Sequence, residues 1–499
     1  MRRCNLPLTA LCLAILVSGP ALAADFGEQV EQQLMSGSSR LYGFARPIAA
    51  SASTPPGYAR APGQPASAQV LLAQGLKVSY LTRTAANNTD QMALWPSETQ
   101  ATHLITCVEE SERQVIGHFP NGTEKYNPSV QRIRLADGQA ETVLRGMAGC
   151  DGIRRTPWGT IVVTEEASDG QVYEILDPLA LTNLTLTGRG TANLFDSSGV
   201  DVTDTTAKIA LRSALPKMAW EGLAITPQGV VIAGDELRPG SYADSRTGTR
   251  DTDGGALFKF VPATPAANQP VRNLDQSPLI AGSVHALQVS CVDNKQQFGQ
   301  GCEVGQGAWI PVTATNARVD AYAAGATGFY RPEDLEKDPG YSGAGMRFCW
   351  TNTGNAVAEN DGEVLCGVDR EPLTAAVSNR TVTINRFVEG DSDFNQPDNL
   401  AFQPGNHNLY VIEDNPNGDI WACLPDGADR DRKTDGCVKM LSVVDSSAEP
   451  TGFLFSGDGR TAYVSIQHSR DPADRSMDAD DYATDDILMI TGFRPVSGP

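Results

Sequence analysis

The 499-residue chain carries 60 acidic residues against 39 lysines and arginines, a formal charge of −21, and 40% hydrophobic residues. So acidic a chain excludes nucleic-acid binding, which needs a basic face to displace counterions, and makes metal cations better partners. The length admits one large closed all-β domain as readily as two or three smaller ones.

The first residues run Met1-Arg2-Arg3, an apolar stretch from about Leu6 to Val17, then Pro20-Ala21-Leu22-Ala23. That charged, apolar, small-residue order is that of a signal peptide over residues 1–23. Export to the periplasm or medium, by the Sec or the twin-arginine route, is expected. No later stretch approaches about 18 apolar residues, so no membrane span is expected. Two of the ten cysteines, Cys4 and Cys12, lie in this leader. In an oxidising compartment the rest suggest disulfides. Neighbour pairing gives Cys107 with Cys150, Cys291 with Cys302, Cys349 with Cys366 and Cys423 with Cys437.

Residues 24–75 are rich in Ala, Ser, Pro and Gly, as in Ala49-Ala50-Ser51-Ala52-Ser53-Thr54-Pro55-Pro56-Gly57, which predicts an extended strap or linker. Over 76–499 the apolar runs are short, β-branched and punctuated by Gly, Pro, Asn and Asp, so this part reads as all-β. A unit recurs in it: a turn with Pro-x-Gly or Asp-Gly, an apolar strand, then acidic or amide residues. Clear copies run from Thr156-Pro157-Trp158-Gly159 to Glu165-Glu166, from Thr226-Pro227-Gln228-Gly229 to Asp235-Glu236, from Pro404-Gly405 to Glu413-Asp414, and from Ser456-Gly457-Asp458-Gly459 to Gln467-His468. Looser copies end at Glu109-Glu110 and at Trp350-Thr351-Asn352. From Glu109 through Glu165, Asp235, Trp350 and Glu413 to Gln467 the intervals are 56, 70, 115, 63 and 54 residues. This spacing predicts a six-bladed β-propeller with one large insertion between blades at about 238–330. A β-sandwich or two barrels is the alternative.

A second acidic position precedes each turn: Asp151, Glu221 and Asp398, with Glu333 in the same phase. Residues in one phase of every blade occupy equivalent radial places, so these carboxylates can meet at the axis. Converging carboxylates repel one another unless cations neutralise them, and calcium, which takes oxygen ligands, is the natural occupant. Among five histidines none has HxxxH spacing, which excludes the usual zinc hydrolase set. There is no Gly-x-Ser-x-Gly elbow and no Walker loop. Asp391-Ser392-Asp393 and Asp478-Ala479-Asp480-Asp481 read as surface loops.

Several stretches resemble the PhoX-type alkaline phosphatases. They are Thr156-Pro157-Trp158-Gly159-Thr160 with Thr164-Glu165-Glu166; Trp220-Glu221-Gly222-Leu223 with Asp235-Glu236; Leu257-Phe258-Lys259-Phe260; Arg331-Pro332-Glu333; Pro397-Asp398-Asn399-Leu400 with Glu413-Asp414; and Glu449-Pro450-Thr451-Gly452 through Asp458-Gly459 to Ile466-Gln467-His468. The resemblance implies a six-bladed propeller with a mixed iron and calcium centre that hydrolyses small phosphate esters. It implies Glu221 and Glu333 as metal ligands, with Glu165, Glu166, Asp235, Asp398 and Glu413 as ligands or calcium-shell residues. Arg331 would grip the phosphate and Glu333 would share its catalytic work. The family pattern also places an Asn-Cys pair before the Thr-Pro-Trp-Gly turn, the thiolate binding iron. Counted back without a gap, Asp151 takes the cysteine's place; a one-residue shift would restore Cys150, so both are candidates. A monomeric phosphatase-like hydrolase is expected; a calcium-dependent lactonase or esterase, or an exported propeller that metals only brace, are the alternatives.

Overall fold

The computed structural model describes residues 26–110, 113–240, 254–267, 269–289, 303–355, 359–425, 436–470 and 475–494. The leader and the Cys291 and Cys302 pair lie outside these residues. Strands dominate, in a propeller-like arrangement of mostly antiparallel sheets. The strands nearest the axis are Thr89–Trp95, Cys150–Arg155, Trp220–Ile225, Pro332–Lys337, Pro397–Phe402 and Glu449–Phe455. Each packs on the next and the last packs on the first, so they form a closed ring.

Behind each axial strand the chain steps outward through neighbours that are buried on both faces. Thr160–Glu165 is buried at every position, because its sheet is covered by a neighbouring sheet on either side. Runs such as Ile161-Val162-Val163 suit that environment, in which β-branched side chains fill the space between two pleated surfaces. Ile105, Val143, Ile153, Val163 and Tyr173 form one such inter-sheet core.

The long 115-residue interval is filled differently from expectation. Residues 257–312 contribute the strands Leu257–Pro262, Gly282–Gln288 and Gly305–Val312, which continue the sheet begun by Trp220–Ile225 and Val231–Asp235. The last of them pairs with Val382–Glu389, merging two meanders into one nine-stranded sheet. The extra length thus thickens a sheet.

The N-terminal segment begins as a helix, Phe26–Leu41, where an extended strap is predicted. Val30 and Leu34, one helical turn apart, pack into the core with Tyr42 and Phe44, a short apolar stripe that the Ser and Gly around it mask. Beyond it Val70–Leu72 pairs with Cys437–Val443, and buried Arg60 holds Asp486 at 2.7 Å. Lys77–Ala86 then pairs with Thr484–Thr491, so an early and a late strand complete one sheet. Disulfides join Cys107 to Cys150, Cys349 to Cys366 and Cys423 to Cys437. Among the described residues no helix is long and apolar enough to cross a membrane.

Candidate metal centre

The site grows out of a repeated irregularity. Every axial strand pairs with the next strand outward, and near its start every such pair shifts register. A bulge there bends the strand and re-aims the side chains beside it. Just before the shift, Thr89, Cys150, Trp220, Pro332 and Pro397 face Val108, Glu165, Asp235, Asn352 and Glu413, whereas in the sixth pair the shift follows Thr451, which faces Ser465. The next residues along the first five axial strands are therefore equivalent: Asp90, Asp151, Glu221, Glu333 and Asp398. All five are carboxylates. The residues just past the outer strands form a second equivalent set, Glu109, Glu166, Glu236, Thr353, Asp414 and His468.

Carboxylate oxygens of Asp151, Glu166 and Glu221 lie within 4.8 Å of one another, and so do those of Glu221, Glu333 and Asp398. Glu221 belongs to both groups. Burial first, and then the neighbouring carboxylates, hold Asp90, Asp151, Glu166, Glu221 and Asp398 well above the usual carboxylate range. Burial likewise lifts Glu333 to about 8, opposed by the Arg331 guanidinium. Asp151 Oδ1 is buried with no hydrogen-bond partner. A carboxylate oxygen so placed calls for a cation, and the residues present fit a hard divalent ion such as calcium.

Arg331 overlies this cluster. Its Nη2 lies 2.8 Å from Glu333 Oε1 and 3.6 Å from Asp414 Oδ2, and its Nε donates to Glu236 Oε1 at 2.8 Å. The backbone there is left-handed, with φ of 59°, a conformation that non-glycine residues adopt at some cost. Thr353 Oγ1 donates to Glu333 Oε1 at 2.9 Å. Beneath the acids Asp334 Oδ1 accepts from Arg154 Nη2 at 2.9 Å, and Oδ2 accepts from Leu400 N at 2.9 Å. Arg154 and Asp334 sit on axial strands that are not neighbours in the ring, so their pair spans the axis. Only glycine fits at position 222, where a Cβ would stand 1.6 Å from Asp334 Oδ1.

Asp151, Glu166, Glu221, Glu333 and Asp398 are thus brought together. Three other expected ligands are not. Glu165 accepts from Ala148 N at 3.0 Å and Gln171 N at 3.2 Å. Asp235 accepts from Ala219 N at 3.0 Å and Arg318 Nε at 2.6 Å. Glu413 accepts from Asn395 N, Asp419 N and Trp421 Nε1 at 3.1, 3.0 and 2.9 Å. Side chains alternate along a strand, so in each acidic pair the first residue ties down the loop before the axial strand and the second reaches the channel. Cys150 is corrected on other grounds: its sulfur is bonded to Cys107 and offers no thiolate, and Asp151 takes the axial place. The thiolate–iron ligation that the resemblance implies does not fit here. Asp90, Glu109, Glu236 and Asp414 were missed as site residues. Glu236 and Asp414 were the unused halves of recognised pairs, whereas Asp90 lies ahead of the first recognised repeat.

The fold and site together define a propeller-like protein with a carboxylate-rich axial centre. Residues 246–470, just under half of the chain, match the family model described as alkaline phosphatase PhoX, which bears out the resemblance read from the sequence. Pseudomonas fluorescens PhoX, solved with vanadate as a transition-state analogue, is 16% identical with a TM-score of 0.54, over 89% of this chain and 98% of that one. At that identity the likeness speaks for the fold. A gluconolactonase from Xanthomonas campestris aligns over 89% of this chain and 97% of that one at 12% identity, but its TM-score of 0.39 carries no argument. No curated protein matches the chain.

Proposed function

We propose that the chain is an exported, metal-dependent phosphomonoesterase of PhoX type, built as six blades around the axial carboxylates. One observation carries this reading: Asp151, Glu166, Glu221, Glu333 and Asp398 converge beneath a single guanidinium, in a chain that matches the PhoX model. Asp151, Glu166 and Glu221 would hold one cation and Glu221, Glu333 and Asp398 another, with calcium suited to the oxygen set. Bound there, the cations would supply charge neutralisation for a phosphoryl group and an activated oxygen nucleophile. Arg331 would present its guanidinium edge to the phosphate as a fork. Glu333 and Glu236 hold that guanidinium in place until the ester arrives, and the Arg154–Asp334 pair closes the axis below. The signal-peptide pattern and the disulfides support an oxidising location.

The disulfide at Cys150 favours a second reading, an exported propeller that cations brace without catalysis. Metal analysis of protein from an oxidising compartment, with p-nitrophenyl phosphate hydrolysis measured in added calcium, separates the two. Bound metal and turnover abolished by Glu333→Ala support the phosphatase. Stoichiometric calcium with no phosphate release overturns it.

A further inference from the structure

The axis has a second opening. Opposite the acids, the far ends of the axial strands enclose a cavity of about 520 Å³, within the range of small-molecule sites. Its walls include Met92, Leu94, Ile225, Phe402 and Phe455. Basic groups reach it from two axial strands, Arg154 and Arg155 from one and Lys337 from another, against Glu98 and Glu336. Arg154 is committed to Asp334 and Glu336, each at 2.9 Å. Arg155 is not so committed. Its ion pair with Glu98 spans 3.2 Å to a side chain 64% exposed, where water competes, and its Nε is buried with no acceptor. The Lys337 ammonium has no hydrogen bond or ion pair among the described residues. His407, also on the lining, keeps a buried Nδ1 without a partner.

In a chain of charge −21, this mouth offers an unpaired Lys337 and an Arg155 held only by exposed Glu98 and a 3.4 Å contact to Thr156 O, beside apolar walls. A neutral hydrocarbon would leave those donors unpaired, and an inorganic anion would leave the walls uncovered. We propose that the cavity binds an amphipathic carboxylate, its head on Arg155 and Lys337 and its aliphatic or aromatic body along Phe402, Phe455 and Met92. A planar carboxylate matches a guanidinium edge. The inference stands apart from the phosphatase reading, because the cavity lies beyond the Arg154–Asp334 pair from the acids.

The test is calorimetric titration of the full chain with octanoate and with 1-octanol, in calcium and in chelator. Octanoate is expected to bind saturably, one per chain, in both conditions. Arg155→Gln and Lys337→Gln should each weaken octanoate about tenfold, the scale of a lost charge-assisted hydrogen bond, while leaving octanol binding and p-nitrophenyl phosphate turnover unchanged. Phe402→Ala should weaken both ligands. Melting temperatures check that each variant folds, and the second cation variant serves if the first does not. Absence of saturable octanoate binding, or an unchanged Kd in the folded cation variants, overturns the proposal.

Discussion

The two ends of the axis are made by the same strands and have opposite chemistry. At the start of each strand, beside the bulge, carboxylates converge under Arg331. A few residues on, the same strands carry Met92, Leu223, Ile225, Phe402 and Phe455 with Arg155 and Lys337 between them. Position along a strand, more than membership of an element, therefore decides what a residue does. The Arg154–Asp334 pair is the boundary, and each end can be perturbed while the other is watched.

The largest effect is expected at the shared carboxylate. Glu221→Gln should remove metal from the acidic end and lower phosphatase kcat/KM by about 100-fold or more, the scale of losing a preorganised electrostatic stabiliser; metal content and steady-state kinetics check it, and octanoate binding should persist. Arg331→Lys keeps the charge but loses the fork, and should lower kcat/KM by about 10- to 100-fold with metal content intact. Glu413→Gln should cost about 1–3 kcal/mol of stability, since an amide oxygen cannot accept from all three donors that the carboxyl group holds, yet leave metal stoichiometry unchanged in denaturation and metal assays. Were Glu413→Gln to strip metal, the division of each acidic pair would fail.

A further effect concerns pH. In cation-free protein Glu333 and Glu413 are lifted to about 8. A folded-state pKa above the unfolded one gives stability that is complete below the unfolded value, near 4.5, and is lost as pH rises through the folded value. The melting temperature of chelated protein should therefore fall between about pH 5 and pH 8.5. Calcium added at pH 8 should raise it again, by about 2.7 kcal/mol of stability at a hundredfold excess over Kd.

Much of this was legible in the chain. Turn, apolar strand and acid recur visibly, and the recurrence already singles out Asp151, Glu221, Glu333 and Asp398. What the pattern does not carry is which of two adjacent acids faces inward. Glu165 and Glu166 differ only by the alternation of a strand whose end is set by a bulge, and the bulge is a property of the pairing between strands. The helix at 26–41 was hidden for another reason: its apolar stripe is too short to stand out amid Ser and Gly. The strands at 257–312 read as an insertion because their sheet has more strands than the repeat leads one to expect.

Ring closure has a consequence for how the protein matures. Each carboxylate of the axial set comes from a different strand, from Asp90 to Asp398, and the sheet that shuts the circle needs Lys77–Ala86 beside Thr484–Thr491. A chain lacking either strand therefore leaves that sheet unfinished. Cation uptake during refolding is then expected to follow the pairing of these two strands, and time-resolved metal binding checks the order.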